Sequence, residues 1–298
     1  MRHESDKPAR GGQGWLHFFE SAQAQARAPV AQLQPRAQLA TPAIVERAYV
    51  ECRHVVYTAL LSSLSLWPEH KAELMRRGLP SEEIQRLQYA SAPTDADSSN
   101  LARSLSQQYG LTGVPGFYQL GGEWRIVRAG AGFFVPYRNE RGLIEGLQLR
   151  RFPYSDRDKY LWLSSKGKPA GASSGSPLHF AKSHLLASAD EVVITEGALK
   201  ADVAAYLSGA PVIAAAGVSN FGDRFAERLR TSFPNLRRTV IAFDRDILEK
   251  SQVSRALLHL SQQLEQARFM VRVRTWPPPA KGYDDYLLSQ VTIGRGQQ

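Results

Sequence analysis

Two acidic signatures stand 48 residues apart in this chain, Glu196-Gly197 and Asp244-Arg245-Asp246, and an acidic pair, Asp284-Asp285, follows them. Carboxylates brought to one point repel one another unless a cation lies between them. Hard oxygen ligands, with no cysteine or histidine cluster nearby, suit Mg2+ (or Mn2+) and not zinc. The plainer alternative is that Asp244 and Asp246 cap a following helix while Glu196 stays in solvent. Either signature alone favours that alternative; both together, at the spacing of one βαβαβ unit, favour a metal site.

The elements that must position these acids are legible around them. Val192 to Thr195 and Val240 to Phe243 are continuous apolar runs, the pattern of strands buried on both faces. In an open parallel sheet, ligands bind outside the carboxyl ends of the strands, so acids delivered from two such ends can converge. Between and after them the periodicity predicts a helix to Leu207 ended by Gly209 and Pro211, a strand over 212–216 and a tight turn at 217–219. It continues with a helix over 221–232, another over 253–267 and a last strand over 270–275. Right-handed crossovers then place all these strands in one parallel sheet.

Upstream, apolar residues recur at helical spacing from Ile44 to Leu66, with Cys52 read as a small buried filler. Pro68 and Glu69 open a second helix that runs to Arg77 and stops at Gly78. Ser81 is the expected N-cap of a third, with Ile84 and Leu87 inward. Thr94 to Ser99 reads as a polar break before a helix over 101–109. β structure follows at 124–127, 132–137 and 142–151, the last two joined as a hairpin through 138–142. The stretch Asp158 to Ser165 and the loop 166–176 supply lysines, serines and glycines. Tyr160 and Trp162 there could stack on bases or belong to a strand core.

Strand-Glu-Gly, helix, strand-Asp-x-Asp and a later acidic pair resemble the Toprim domain shared by bacterial replicative primases, topoisomerases and certain nucleases. The resemblance implies that Glu196, Asp244 and Asp246 are catalytic and that they bind magnesium, with Asp284 or Asp285 as a further ligand. Glu73 to Leu87, with Tyr89 and Ala92-Pro93, is similar to the helical opening of the primase catalytic core. Phe133, Pro136, Arg138, Gly142, Gly146, Lys159, Tyr160 and Leu161 match the basic subdomain of that core. The resemblance assigns Arg138, Arg150, Arg151, Lys159, Lys166, Lys200 and Lys281 to nucleic-acid and nucleotide phosphates.

Two departures stand out. Lys200 occupies a place where the primases carry an acid, and Asp284-Asp285 lacks their Asp-Pro-Asp spelling. The spelling from Thr195 to Asp202 resembles that of mobile-element Toprim proteins of unknown function. The implied fold class is α/β: a C-terminal Toprim domain, Rossmann-like with a parallel sheet, preceded by a helical and α+β primase-core-like basic subdomain. The expected bounds are a disordered leader over 1–45 with a short helix around 15–26, the basic subdomain over 46–188, the Toprim domain over 189–290 and a flexible tail over 291–298.

With 298 residues, 43% of them hydrophobic, the chain can bury two modest cores. No run approaches the roughly 20 apolar residues of a membrane span, and the polar N-terminus lacks a signal-peptide centre, so a soluble, cytoplasmic protein with no membrane partner is expected. One cysteine excludes an intramolecular disulfide and a multi-cysteine zinc site within this sequence, so no zinc is expected. The formal charge is +9, and residues 101–188 carry 12 Lys and Arg against 5 Asp and Glu. A basic segment beside an acidic metal site suits a polyanionic substrate.

The leading expectation is a primase-like, magnesium-dependent nucleotidyltransferase acting on single-stranded DNA and nucleoside triphosphates in replication of a mobile element. A helicase or a separate zinc-ribbon protein would be its partner. A Toprim nuclease and a non-catalytic protein that binds single-stranded nucleic acid are the alternatives.

Overall fold

A computed structural model describes residues 3–8, 15–18, 45–128, 130–152, 159–245 and 251–295. The chain divides into two compact units, Met1–Thr41 and Pro42–Gln298. In the first, β1 (His3–Pro8) pairs antiparallel with β2 (Trp15–Phe18). The helix expected around 15–26 is therefore a strand where it begins, in keeping with the preference of Trp and Phe for a pleated surface. Its remainder lies outside the described residues.

The second unit carries α1 (Val50–Ser62), α2 (Pro68–Arg76), α3 (Ser81–Leu87), β3 (Ala90–Ser91) and α4 (Asp95–Gln108), then the hairpin β4 (Phe117–Leu120) and β5 (Glu123–Ile126). β6 (Gly132–Arg138), β7 (Ile144–Arg151) and β8 (Tyr160–Trp162) complete an antiparallel sheet in the order β3-β6-β7-β8. The β6–β7 hairpin is closed by Asn139, whose buried Oδ1 accepts from the backbone N–H of Arg141 and Leu143.

β6 is buried on both faces, which explains its unbroken apolar run. Phe134 lies in a core with Tyr57, Leu60, Ala102, Leu147 and Leu149. Phe133, Val135 and Tyr137 lie in another, with Leu74, Ile84 and Leu87 on one side and Ala198, Leu199 and Val203 on the other. That second core crosses the boundary expected near residue 188, so the two halves share an interior.

Local details depart from expectation at three places. Pro80, not Ser81, holds the N-cap position of α3. α4 starts at Asp95 because the Thr94 side chain accepts from the Asp97 N–H, converting the expected polar break into a capped first turn. Cys52 is exposed, since α1 turns Arg53, Val56, Tyr57, Leu60 and Leu61 inward.

The larger sheet contains β9 (His179–Ala181), β10 (Glu191–Glu196), β11 (Val212–Ala215), β12 (Arg238–Ile241) and β13 (Met270–Val273), in the order β13-β12-β10-β11-β9. Four strands are parallel as expected, while β9 adds an antiparallel edge beside β11. β9 precedes residue 188, so this sheet draws on the segment assigned to the upstream subdomain. α5 (Ala198–Ser208), α6 (Phe225–Ser232), α7 (Ser251–Gln266) and α8 (Tyr283–Arg295) cover it.

Alternation decides which helices go where. Val192, Ile194, Ile213, Ile241 and Phe243 face Phe225, Leu229, Leu260 and Leu264 of α6 and α7. Val193, Val212, Ala214, Val240 and Ala242 face Ala201, Ala204 and Ala205 of α5 and Tyr283 of α8. α8 runs from Tyr283 to Arg295, through the first residues of the expected tail; 296–298 lie outside the described residues. Among the described residues, no helix is long and apolar enough to cross a membrane.

Candidate functional site

The strand order creates one distinctive place. From β10 the chain crosses through α5 to β11 on one side, and from β12 it crosses through α7 to β13 on the other. The connections diverge between adjacent strands β10 and β12, and a crevice opens outside their carboxyl ends. Ile194 pairs with Ile241, and the Thr195 hydroxyl donates to the Ala242 carbonyl at 2.8 Å, holding the two strand ends together. Glu196 and Asp244 lie just beyond. Gly197 turns the chain into α5 at φ +77°, a conformation that L side chains rarely adopt, so the Glu-Gly spelling has a backbone cause.

Lys200, one helical turn after Glu196, reaches back between the acids. Its Nζ donates to Glu196 Oε1 at 3.3 Å and, more closely, to Asp244 Oδ1. Burial opposes the charge on Lys200, but Asp244 and Glu196 outweigh it and hold the ammonium above its usual range. Glu196 is shifted up by burial and by Asp244, with Lys200 opposing.

The third acid comes from the first turn of α8. Asp284 is buried, at 3% exposure, and its Oδ2 faces Arg77 Nη1 at 3.4 Å. Its Oδ1 is buried with no hydrogen-bond partner among the described residues. A Cβ built on Gly282 would lie 2.4 Å from Asp284 Oδ1 and 3.3 Å from Asp244 Oδ1, so both oxygens crowd one point that only glycine leaves open. Burial pushes the Asp284 carboxyl up to about 6; Asp285 and Asp244 add to the rise, while Lys200 and Arg77 oppose it.

Asp285 does different work. It is exposed, and its Oδ2 accepts from the Gly282 N–H at 3.1 Å, capping α8. Asp246 lies outside the described residues. Among those described, no three acids, histidines or cysteines form a ready metal-ligand set. What is present is a pair of carboxylate oxygens, Asp244 Oδ1 held by Lys200 and Asp284 Oδ1 without a partner among the described residues. That fits a hard divalent cation that keeps much of its water and binds through one or two carboxylates.

The basic residues separate into two groups. Arg150 is 1% exposed, and its guanidinium donates to Glu73 at 2.7 Å and to the Tyr160 hydroxyl at 2.9 Å. Arg138 donates to the Gly142 and Leu87 carbonyls and to Gln88 Oε1. Both guanidinium groups, expected at phosphates, are bonded here to the protein itself. Arg151 is half-buried on β7. Elsewhere the basic segment meets acids, as in Arg128–Asp95 and Arg141–Glu51. Trp162 packs on Tyr137 with ring centroids 4.5 Å apart, so its aromatic face serves the core.

The second group consists of lysines, of which Lys159 stands near Lys200 and Lys281. Burial, and then the neighbouring charges of Arg150, Arg77, Lys200 and Lys281, pull the half-buried Lys159 ammonium below its usual range. Lys281 is exposed, two residues before α8, and its carbonyl accepts from the Arg245 N–H at 3.0 Å. Lys166 is exposed on the loop after β8.

Sequence reasoning assigns no part in the chemistry to Arg77, Glu73 or Gly282, yet all three shape the site. Glu73 bridges Arg77 at 3.0 Å and Arg150, so a chain of charges runs from β7 through α2 to Asp284. Arg77 and Asp284 are 207 residues apart, and no local pattern signals that they meet.

This mixed α/β architecture, with a largely parallel sheet and a four-stranded antiparallel sheet, is similar to that of primase catalytic cores. The likeness to the zinc-binding and RNA polymerase domains of Aquifex aeolicus primase has a TM-score of 0.61 at 16% identity over 84% of this chain, which spans 60% of that structure's length. The RNA polymerase domain of Mycobacterium tuberculosis primase DnaG, in complex with a double-stranded DNA oligomer with a 6-nucleotide overhang, gives 0.61 at 15% identity, covering 85% of this chain and 82% of the other. A DnaG primase catalytic domain bound to single-stranded DNA gives 0.59 at 16%, covering 83% and 78%. Residues 185–293 match the model of a domain of unknown function, DUF3854. No curated protein matches the sequence.

Proposed function

We propose that this chain is a Toprim-type, primase-like nucleotidyltransferase that uses Mg2+ (or Mn2+) to build a nucleic-acid strand on single-stranded DNA during replication of a mobile element. The observation that carries this reading is the meeting of Asp244 with a buried Asp284 oxygen that has no partner among the described residues, at the divergence of β10 and β12. The primase-core fold supports it.

Asp244 and Asp284 would hold the cation, with Asp246 as a further ligand. Bound there, the ion supplies positive charge to the triphosphate of an incoming nucleotide. Lys159 and Lys281 would hold its phosphates, and Lys166 the template backbone. Glu196, whose carboxyl is held above its usual range, would accept the proton of the attacking 3′-hydroxyl as the new O–P bond forms and pyrophosphate leaves. A helicase or a separate zinc-ribbon protein is the partner class this activity calls for.

The test is Mg2+-dependent incorporation of labelled ribonucleotides and deoxyribonucleotides on single-stranded DNA, with wild type beside Asp244→Ala. Template-dependent product that falls at least about 100-fold in the variant supports the proposal, that loss being about 2.7 kcal/mol of transition-state stabilisation. Shortened template in place of product identifies a nuclease. Binding of single strands without Mg2+ dependence, and without either product, identifies a non-catalytic binding protein.

A further inference from the structure

Three carboxylates, Glu196, Asp244 and Asp284, meet two cations of the protein itself, Lys200 and Arg77. The pairing is uneven. Lys200 engages Glu196 and Asp244 together, placing an ammonium between two carboxylates where an acidic centre would otherwise need a bound ion. Arg77, shared with Glu73, reaches Asp284 through Oδ2 alone. One buried oxygen, Asp284 Oδ1, lacks a partner among the described residues. That oxygen lies beside the same Gly282 as Asp244 Oδ1.

Phosphoryl-transfer sites built from clustered acids commonly hold two ions about 3.5–4 Å apart, one on the attacking and one on the leaving oxygen. We propose that Lys200 is a built-in cation that takes the place of one of these ions, so that the protein binds a single divalent cation, between Asp244 and Asp284. The proposal rests on the metal-dependent reading above and assigns its stoichiometry. Lys200 is suited to the part because it springs from the first turn of α5, a fixed element, and because displacing it would strand an ammonium near the Lys159 charge. The remaining site needs only two carboxylates, as Mg2+ retains most of its water. Lys200 would then neutralise charge at a place where no ion has to be recruited, making the site less dependent on Mg2+ concentration than a two-ion centre.

The experiment is a titration of the full chain with Mn2+ at pH 7.5, counting bound ions by electron paramagnetic resonance. Wild type should bind one ion, displaced by Mg2+. Lys200→Met, which keeps the length of the side chain and removes its charge, should bind two, with spectral broadening from spin coupling between ions about 4 Å apart. Asp284→Asn should weaken the wild-type site at least about tenfold, or about 1.4 kcal/mol. Near-UV circular dichroism checks that Lys200→Met is folded; Lys200→Gln serves if it is not.

Two ions on the wild type overturn the proposal, and so does a single ion on a folded Lys200 variant at unchanged affinity. A wild type that binds none overturns it together with the metal-dependent reading. One ion on the wild type and two on the variant, without strand synthesis, support the proposal and sink the enzymatic reading alone.

Discussion

Two side-chain networks meet the same helix, α5, at Lys200 and Asp202, two residues apart, and they are built on opposite principles. Asp202 of α5 is buried, and both its oxygens are satisfied. The Tyr89 hydroxyl donates to Oδ2 at 2.6 Å and His179 Nε2 donates to Oδ1 at 2.9 Å. The Arg138 backbone N–H donates to His179 Nδ1 at 3.1 Å, so Nε2 is the nitrogen that carries the proton. Burial, and then the Asp202 charge, hold the Tyr89 hydroxyl in its protonated form by raising its pKa. This cluster ties β6, β9 and α5 together and offers nothing to a ligand. At Lys200 the same helix faces the crevice, where cations are shared among acids and Asp284 Oδ1 has no partner among the described residues. Closed networks hold a fold; an open one leaves charge for something else to meet.

The sharpest way to break this contrast is at Asp202. Asp202→Ala leaves the Tyr89 hydroxyl and His179 Nε2 buried without their acceptor, at a cost of about 3–5 kcal/mol in unfolding free energy. Urea denaturation should show that loss equally with and without Mg2+. A loss below about 1 kcal/mol would mean that the closed cluster is not structural.

Asp284 should behave in the opposite sense. Its folded pKa is about 6 against 3.8 for the free group, so the folded protein holds the proton more tightly. Its favourable contribution is complete below the free value and disappears as pH rises through the folded one. In metal-free protein, Asp284→Asn should therefore be more stable than wild type at pH 8, by at most about 3 kcal/mol. The advantage should vanish near pH 4, and Mg2+ should narrow it at pH 8. Denaturation midpoints at the two pH values check the sign; a variant less stable at pH 8 would place Asp284 with the closed networks.

The smallest effects belong to the exposed lysines. Lys166→Ala and Lys281→Ala should leave stability within about 0.5 kcal/mol. Each should flatten the dependence of single-stranded DNA binding on salt, lowering the log–log slope by about 0.7 for each phosphate the protein no longer neutralises. Unchanged slopes would move the binding surface elsewhere.

Much of the fold is legible locally. The run ending at Thr195 lies in a strand covered by helices on both faces, and the run over 240–243 starts in β12 and leaves it after Ile241. Pro68 opens α2, and the β6–β7 hairpin falls where its polar connector predicts. Acids at strand ends beside Lys200 are also visible from spacing alone, since Glu196 and Lys200 are one helical turn apart. Spacing gives no hint that β9 joins the larger sheet from the upstream segment, because three residues carry too short a pattern. Nor does it show the fate of Arg150. A basic residue at the end of a strand reads as surface charge until Glu73, from a helix 77 positions earlier, neutralises it inside.

Chemistry and local form therefore belong to the order of the residues: which of them are acids, which runs are strands, and that Gly197 must turn the chain after Glu196. Packing settles that β10 lies beside β12, that Asp284 and not Asp285 turns inward, and that Arg77 meets it across 207 residues. Strand and helix preferences arise from neighbours along the chain, whereas burial, ion pairing and an unsatisfied oxygen depend on segments that meet only once the two sheets share a core.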